Sequence, residues 1–235
     1  MTRKSAAIKT LSALIAVIAL LALHAVFSFK PSVVVFEGDS LSTAENPITY
    51  WPKLIQFQSS WKQTEWHRVA IGATTAIDMV ARYNTNIHPY RPKRGVGLLT
   101  IYGGTNDIRQ PRAAIPVEQT YDRLKQEWAQ ARADGFEVIA FTIHSTAVEE
   151  PCLPCDAQGL QLNALIRSDP SLYDRLVETD KVFPDRDDAH LLYDKVHFTP
   201  AGNARMAEAV RETIAGMWFP RTWFEVKIRL KHTFR

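Results

Sequence analysis

Cysteine is scarce, one end of the chain has no acids, and several familiar signatures are missing. The 235 residues include two cysteines, Cys152 and Cys155. A metal site needs more ligands than these two, and no matching pair accompanies them, so no metal or other cofactor is expected. No phosphate-cradling Gly-x-x-x-x-Gly-Lys-Ser/Thr loop occurs, and no Gly-x-Gly-x-x-Gly follows a strand, so a nucleotide enzyme is not supported. The absence of a Gly-x-Ser-x-Gly elbow argues against the α/β-hydrolase fold. There is no internal repeat, no low-complexity tract and no long linker. With 46% apolar and 23% charged residues, the chain reads as one globular domain with an ample core.

Residues 1–30 hold Arg3, Lys4, Lys9 and Lys30 and not one Asp or Glu. Residues 219–235 carry Arg221, Lys227, Arg229, Lys231 and Arg235 against Glu225. The whole chain is only +3, so the body between the two ends is net acidic. An acidic body does not present the basic face that nucleic acid requires.

Leu11 to Phe29 is an uncharged run preceded by three basic residues. It predicts export, with the basic side retained in the cytoplasm. The run just reaches the roughly 17–25 residues of a spanning helix, and no Ala-x-Ala closes it. An inner-membrane anchor facing the periplasm is therefore favoured over a cleaved signal that releases the protein. In an oxidising compartment Cys152 and Cys155 are expected to form a short-loop disulfide, the alternative being a redox-active Cys-x-Pro-Cys. The tail from Phe224 alternates apolar and charged residues, as an amphipathic edge strand does. Its basic strip, with Trp218, Trp223 and Phe224, also suits anionic lipid headgroups. The domain boundaries that follow are 1–30 for the targeting segment, 31–218 for the body and 219–235 for the basic extension.

Within the body, strand-like runs occur at Val33–Phe36, His67–Ile71, Gly97–Tyr102, Glu137–Ile143 and, weakly, Lys181–Phe183. Helical patterns lie near 48–58, 75–85, 116–133, 157–167 and 200–217. Short apolar strands alternating with amphipathic helices imply a parallel sheet covered on both faces. Such a sheet carries its chemistry at the carboxyl ends of its strands. Ser40, Gly72, the Gly-Gly-Thr-Asn-Asp run at 103–107 and His144 each follow a strand run, so they are expected along one edge. His144 is read equally as a substrate contact or a structural residue, and His190 as a solvated loop residue.

Four blocks, Gly38-Asp39-Ser40-Leu41-Ser42, the glycine of Ile71–Thr75, Gly103–Asp107 and Asp194–Gly202, resemble the SGNH (GDSL) hydrolases in order and spacing. The resemblance spans nearly the whole body. It implies a three-layer α/β/α sandwich with a flavodoxin-like five-stranded parallel sheet. It also implies a serine esterase acting on acyl esters, of a small molecule or a glycan, through an acyl-enzyme. Ser40 would be the nucleophile, His197 the general base, and Asp194 its orienting carboxylate. The oxyanion hole would be the backbone N–H groups of Ser40 and Gly72 with the side-chain amide of Asn106. Chemistry agrees: a serine hydroxyl needs a base to take its proton, and the base needs a carboxylate to hold its tautomer. Two rivals remain, an acyltransferase that passes the acyl group to a sugar hydroxyl, and a non-catalytic binding module. Glu37, an acid at the end of a buried strand, is read either as pointing at solvent or as tuning the site.

Overall fold

The computed structural model describes residues 30–43, 50–109, 115–144, 153–185 and 187–215. The uncharged N-terminal run, Cys152 and the alternating tail lie outside the described residues. Among the described residues no helix is long and apolar enough to cross a membrane.

Three consecutive valines start β1 (Val33–Gly38), because β-branched side chains suit extended backbone and pack well on a pleated surface. All six residues are buried, as are those of β3 (Gly97–Tyr102) and β4 (Phe136–Phe141). With β2 (Glu65–Arg68) and β5 (Arg175–Val177) they form one parallel sheet of order β2-β1-β3-β4-β5. The order reverses between β1 and β3, and in open α/β sheets that switch point opens the crevice where ligands bind.

Side chains alternate across each strand, so the two faces of β1 meet different partners. Phe36 meets Trp51, the first residue of α1 (Trp51–Gln58), edge-on at 5.4 Å. The Trp51 backbone N–H in turn donates to Asn203 of α7 (Pro200–Ala215). On the opposite face Glu37 pairs with Arg82 of α2 (Ala76–Asn86), which packs on α4 (Val117–Ala133). α4 also packs on α5 (Leu153–Ser168). Helices thus cover both faces, and the expected sandwich is the fold.

Two strands are not where the apolar runs place them. β2 begins two residues early at Glu65, in register with Val33. Its ladder still continues past the strand, with Val69 donating to Phe36 and Ile71 to Gly38. The fifth strand is Arg175–Val177, and Lys181–Phe183 is instead the end of a helical turn, α6 (Thr179–Val182), and its cap. An edge strand of three residues has one neighbour to pair with and no need of a continuous apolar run. β4 also ends at Phe141 rather than Ile143, and a short helix, α3 (Thr105–Arg109), was not anticipated. Cys155, in α5, is disulfide-bonded.

Candidate active site

β1 stops at Gly38 because the chain has no room for a side chain there. A Cβ at Gly38 would lie 2.6 Å from the Tyr102 carbonyl oxygen and 2.7 Å from Ser42 Oγ. The next residue, Asp39, caps a 3-10 turn at Ser40–Ser42 by accepting the Leu41 N–H at 2.9 Å. Burial pushes the Asp39 carboxyl up to about 7, against the pull of that N–H. Ser40 is therefore held at the lip of the β1/β3 crevice by a buried cap. Gly38→Ala should cost at least about 2 kcal/mol, the scale of overpacking a tight site. A urea melt of the variant measures it, and wild-type stability would contradict this reading.

The imidazole arrives from the loop that precedes α7. An antiparallel bridge, Leu192 to Phe198, pinches this loop, and Tyr193 N–H donates to the His197 carbonyl at 3.0 Å. Lys195 takes the left-handed conformation, φ 67°, which turns the chain back on itself. Asp194 Oδ1 accepts N–H bonds from Val196 at 3.1 Å and His197 at 2.6 Å. Its Oδ2 lies 2.6 Å from His197 Nδ1, and His197 Nε2 lies 2.9 Å from Ser40 Oγ. Burial alone would raise the Asp194 carboxyl, but the His197 N–H, the imidazole and the Val196 N–H together hold it below the ordinary aspartate range. The carboxylate therefore takes Nδ1–H, leaving Nε2 free to accept the serine proton, as nucleophile activation requires. Gly202 locks this loop against α7, since a Cβ there would sit 2.1 Å from the Leu191 carbonyl oxygen.

Two further segments close on Ser40. A Cβ at Gly72 would lie 3.8 Å from Ser40 Cβ, which puts this glycine beside the nucleophile. Asn106, on α3, donates to the Thr74 carbonyl at 2.9 Å and to Asp39 Oδ2 at 3.3 Å. Its neighbour Asp107 is buried and accepts the Ala76 N–H, which ties α3 to the first turn of α2. α2 itself starts in a capping box between Thr75 and Asp78. Beside Ser40 lies a cavity of about 240 Å³ lined by Ser40, Leu41, Thr43, Tyr50, Tyr193, His197, Phe198 and Asn203.

Sequence reasoning placed all five candidate residues, Ser40, Gly72, Asn106, Asp194 and His197, in segments that the fold brings together. It missed Arg82. That guanidinium donates to Glu37 Oε1, to the Gly38 carbonyl at 3.1 Å and to Thr74 Oγ1 at 3.3 Å. One side chain thus bridges the Ser40 loop and the Gly72 loop. The signal for it was Glu37, an acid on a fully buried strand that needs a cation.

His144 does not line the cavity at Ser40. It borders a separate cavity of about 390 Å³ with Asp156, Asn163, Asp180 and Asp187. His190 is an exposed loop residue whose N–H donates to Asp188. Among the described residues no group of three or more His, Cys, Asp or Glu could hold a metal ion.

Comparison with solved structures returns the same architecture at low sequence identity. A variant of the acetyl-xylooligosaccharide esterase Axe2 from Geobacillus stearothermophilus superposes with TM-score 0.65 at 18% identity, over 80% of this chain and 96% of that one. The acetyl xylan esterase AlAXEase gives TM-score 0.62 at 16% identity, over 77% and 98%. A GDSL-like lipase described for Parabacteroides merdae gives 0.64 at 14%, over 81% and 99%. No curated protein sequence matches significantly. The family profile of the GDSL-like lipases and acylhydrolases matches residues 36–205, from β1 through the Ser40 turn and the Asn106 segment to the His197 loop and into α7. On that match the chain belongs to the GDSL-like lipase/acylhydrolase family of ester hydrolases.

Proposed function

We propose that the protein is a serine esterase that removes short acyl groups, O-acetyl above all, from a glycan or small alcohol. The observation that carries this is the continuous relay from Asp194 Oδ2 through the imidazole to Ser40 Oγ, 2.6 Å and 2.9 Å long. In the first step Ser40 Oγ attacks the ester carbonyl carbon and its proton passes to His197 Nε2. Asp194 keeps the ring oriented and stabilises the imidazolium. The carbonyl oxygen, now an anion, takes the N–H groups of Ser40 and Gly72 and the amide of Asn106. The Asn106 bond to Asp39, the longer of its two, is the one the oxyanion displaces. Collapse returns the proton from His197 to the leaving alcohol, and water then repeats the sequence on the acyl-serine.

A cavity of about 240 Å³ beside Ser40, with Leu41, Tyr50 and Phe198 among its apolar lining, supports a short acyl group. Axe2, an acetyl-xylooligosaccharide esterase, and AlAXEase, an acetyl xylan esterase, share the fold and support the same substrate class. For location we propose export with membrane anchoring through Leu11–Phe29. The disulfide at Cys155 supports an oxidising compartment.

The test is turnover of p-nitrophenyl esters from acetyl to palmitoyl, with fluorophosphonate labelling of the same sample read by mass spectrometry. Acetyl or propionyl should be hydrolysed fastest, and Ser40 should carry the label. Labelling of Ser40 without turnover would favour transfer to a sugar hydroxyl. A folded sample with no label at Ser40 would make the protein a binding module.

A further inference from the structure

A single peptide group carries His197, and it is held on both sides. Its N–H donates to Asp194 Oδ1 at 2.6 Å, and its carbonyl, belonging to Val196, lies 2.8 Å from His144 Nε2. A carbonyl oxygen only accepts, so Nε2 of His144 carries the proton and Nδ1 is left as an acceptor. That acceptor meets the Tyr102 hydroxyl at 2.7 Å. The ring is wedged in place by Phe198, stacked at 5.1 Å, and Phe183 at 5.4 Å. Burial pushes the His144 pKa down to about 4, so the ring stays neutral and its two roles do not change through the neutral range.

This chain of contacts joins the carboxyl ends of β3 and β4 to the His197 loop. Tyr102 ends β3 directly before the Gly103–Asp107 segment, His144 follows β4, and Val196 belongs to the His197 loop. The loop's own bonds, the Leu192–Phe198 bridge and the Tyr193 N–H to the His197 carbonyl, do not include the Val196 carbonyl, and Lys195 beside it occupies a left-handed conformation that costs an ordinary side chain energy. Asp194 fixes the N–H side of the loop only. We propose that His144 is a positioning residue for His197: with Tyr102 behind it, it sets the plane of the 196–197 peptide and so keeps Nε2 within reach of Ser40 Oγ. The proposal rests on the esterase reading above. It assigns His144 no contact with substrate, since His144 lies outside the cavity at Ser40.

Three variants of the full-length protein test it. His144→Phe keeps the ring packing and loses both hydrogen bonds; kcat for p-nitrophenyl acetate should fall about 10- to 100-fold, the scale of a catalytic group misplaced by about 1 Å. KM should stay within about twofold, and Ser40 labelling by fluorophosphonate should slow in parallel, because loss of orientation weakens the attack and not ground-state binding. His144→Gln restores an N–H near the Nε2 position and should recover most of kcat. Tyr102→Phe removes only the hydroxyl behind His144 and should give a smaller loss of the same kind, which keeps the test open if His144→Phe does not fold. Wild-type kcat in a folded His144→Phe, equal losses in the Phe and Gln variants at wild-type Tm, or a raised KM with kcat kept would each overturn the proposal. Ser40→Ala is the control: if it hydrolyses the ester as fast as wild type, the esterase reading falls first, and by a different readout.

Discussion

His197→Ala should lower kcat for a short acyl ester by about 10⁵- to 10⁶-fold, and adding Asp194→Asn should lower it little further. Single knockouts of a nucleophile or base that act as one unit cost about as much as removing the whole set. The geometry here has that unitary form: Ser40 Oγ, Nε2, Nδ1 and Oδ2 follow one another with no gap longer than 2.9 Å. Asp194→Asn alone should cost about 10⁴-fold, because an amide can donate to Nδ1 and so hold the ring in the wrong tautomer. It would also weaken the N–H bonds of Val196 and His197, which the carboxylate gathers on Oδ1. Asn106→Ala should cost about 10²- to 10³-fold, as loss of one oxyanion donor does. Steady-state kinetics of the two single variants and the double variant decide the matter. Strict additivity of the His197 and Asp194 effects would show that the two side chains do not work as a relay.

Arg82→Ala should destabilise the fold by about 3–5 kcal/mol at pH 8, the range for breaking a buried ion pair by removing one partner. At about 2–4 °C per kcal/mol for a domain this size, the melting point should drop by roughly 10 °C. Arg82 sits among acids that have few other partners. Glu37 is fully buried and has one carboxylate oxygen unpartnered, and both oxygens of the buried Glu127 are unpartnered. Burial raises the Glu37 and Glu127 carboxyls above the ordinary range; Arg82 opposes the rise at both, and the Glu37 charge adds to it at Glu127. A carboxyl raised in the folded state contributes stability that is fully present below its unfolded pKa and is lost as pH climbs through the folded value. Glu37, Glu127 and Asp39, the last at about 7, therefore make the protein less stable as pH rises from about 4 toward 7 and beyond. Asp194, Asp78 and Asp180, held below their ordinary values, act in the opposite sense and lose their contribution as pH falls through their folded values. Maximum stability should then lie on the acid side of neutrality.

The Arg82→Ala loss should be smaller at pH 5, where Glu37 takes up a proton and no longer needs a cation. Glu127→Gln should raise the melting point at pH 8 more than at pH 5. Calorimetry of both variants at the two pH values checks this, and an Arg82→Ala loss that does not change with pH would contradict it. The same guanidinium also donates to the Gly38 carbonyl and Thr74 Oγ1, so activity should fall with stability as the two loops beside Ser40 lose their shared brace.

Much of this protein is legible in its sequence, where the chemistry sits in short local segments. Val33–Phe36 announces a buried strand through β-branching, and Gly38, Asp39 and Ser40 announce a sharp exit that presents a hydroxyl. Asp194 and His197 are close in sequence, so a pairing between them could be inferred from spacing. β5 could not be read: a three-residue edge strand buries too little to leave a periodic signal, and the apolar Val182 and Phe183 drew attention to the wrong segment. The partners of Glu37 and His144 are met only on folding, because they lie far along the chain. Arg82 is 45 residues from Glu37, and Val196 is 52 residues from His144. By itself the sequence determined which groups could react and that strand ends would gather them; tertiary structure decided which buried charges are paired and which peptide planes are held. The physical reason is reach. Propensity, capping and turn chemistry act over a few neighbouring residues, whereas a buried ion pair or a pinned carbonyl exists only once the sheet has brought distant segments within about 3 Å.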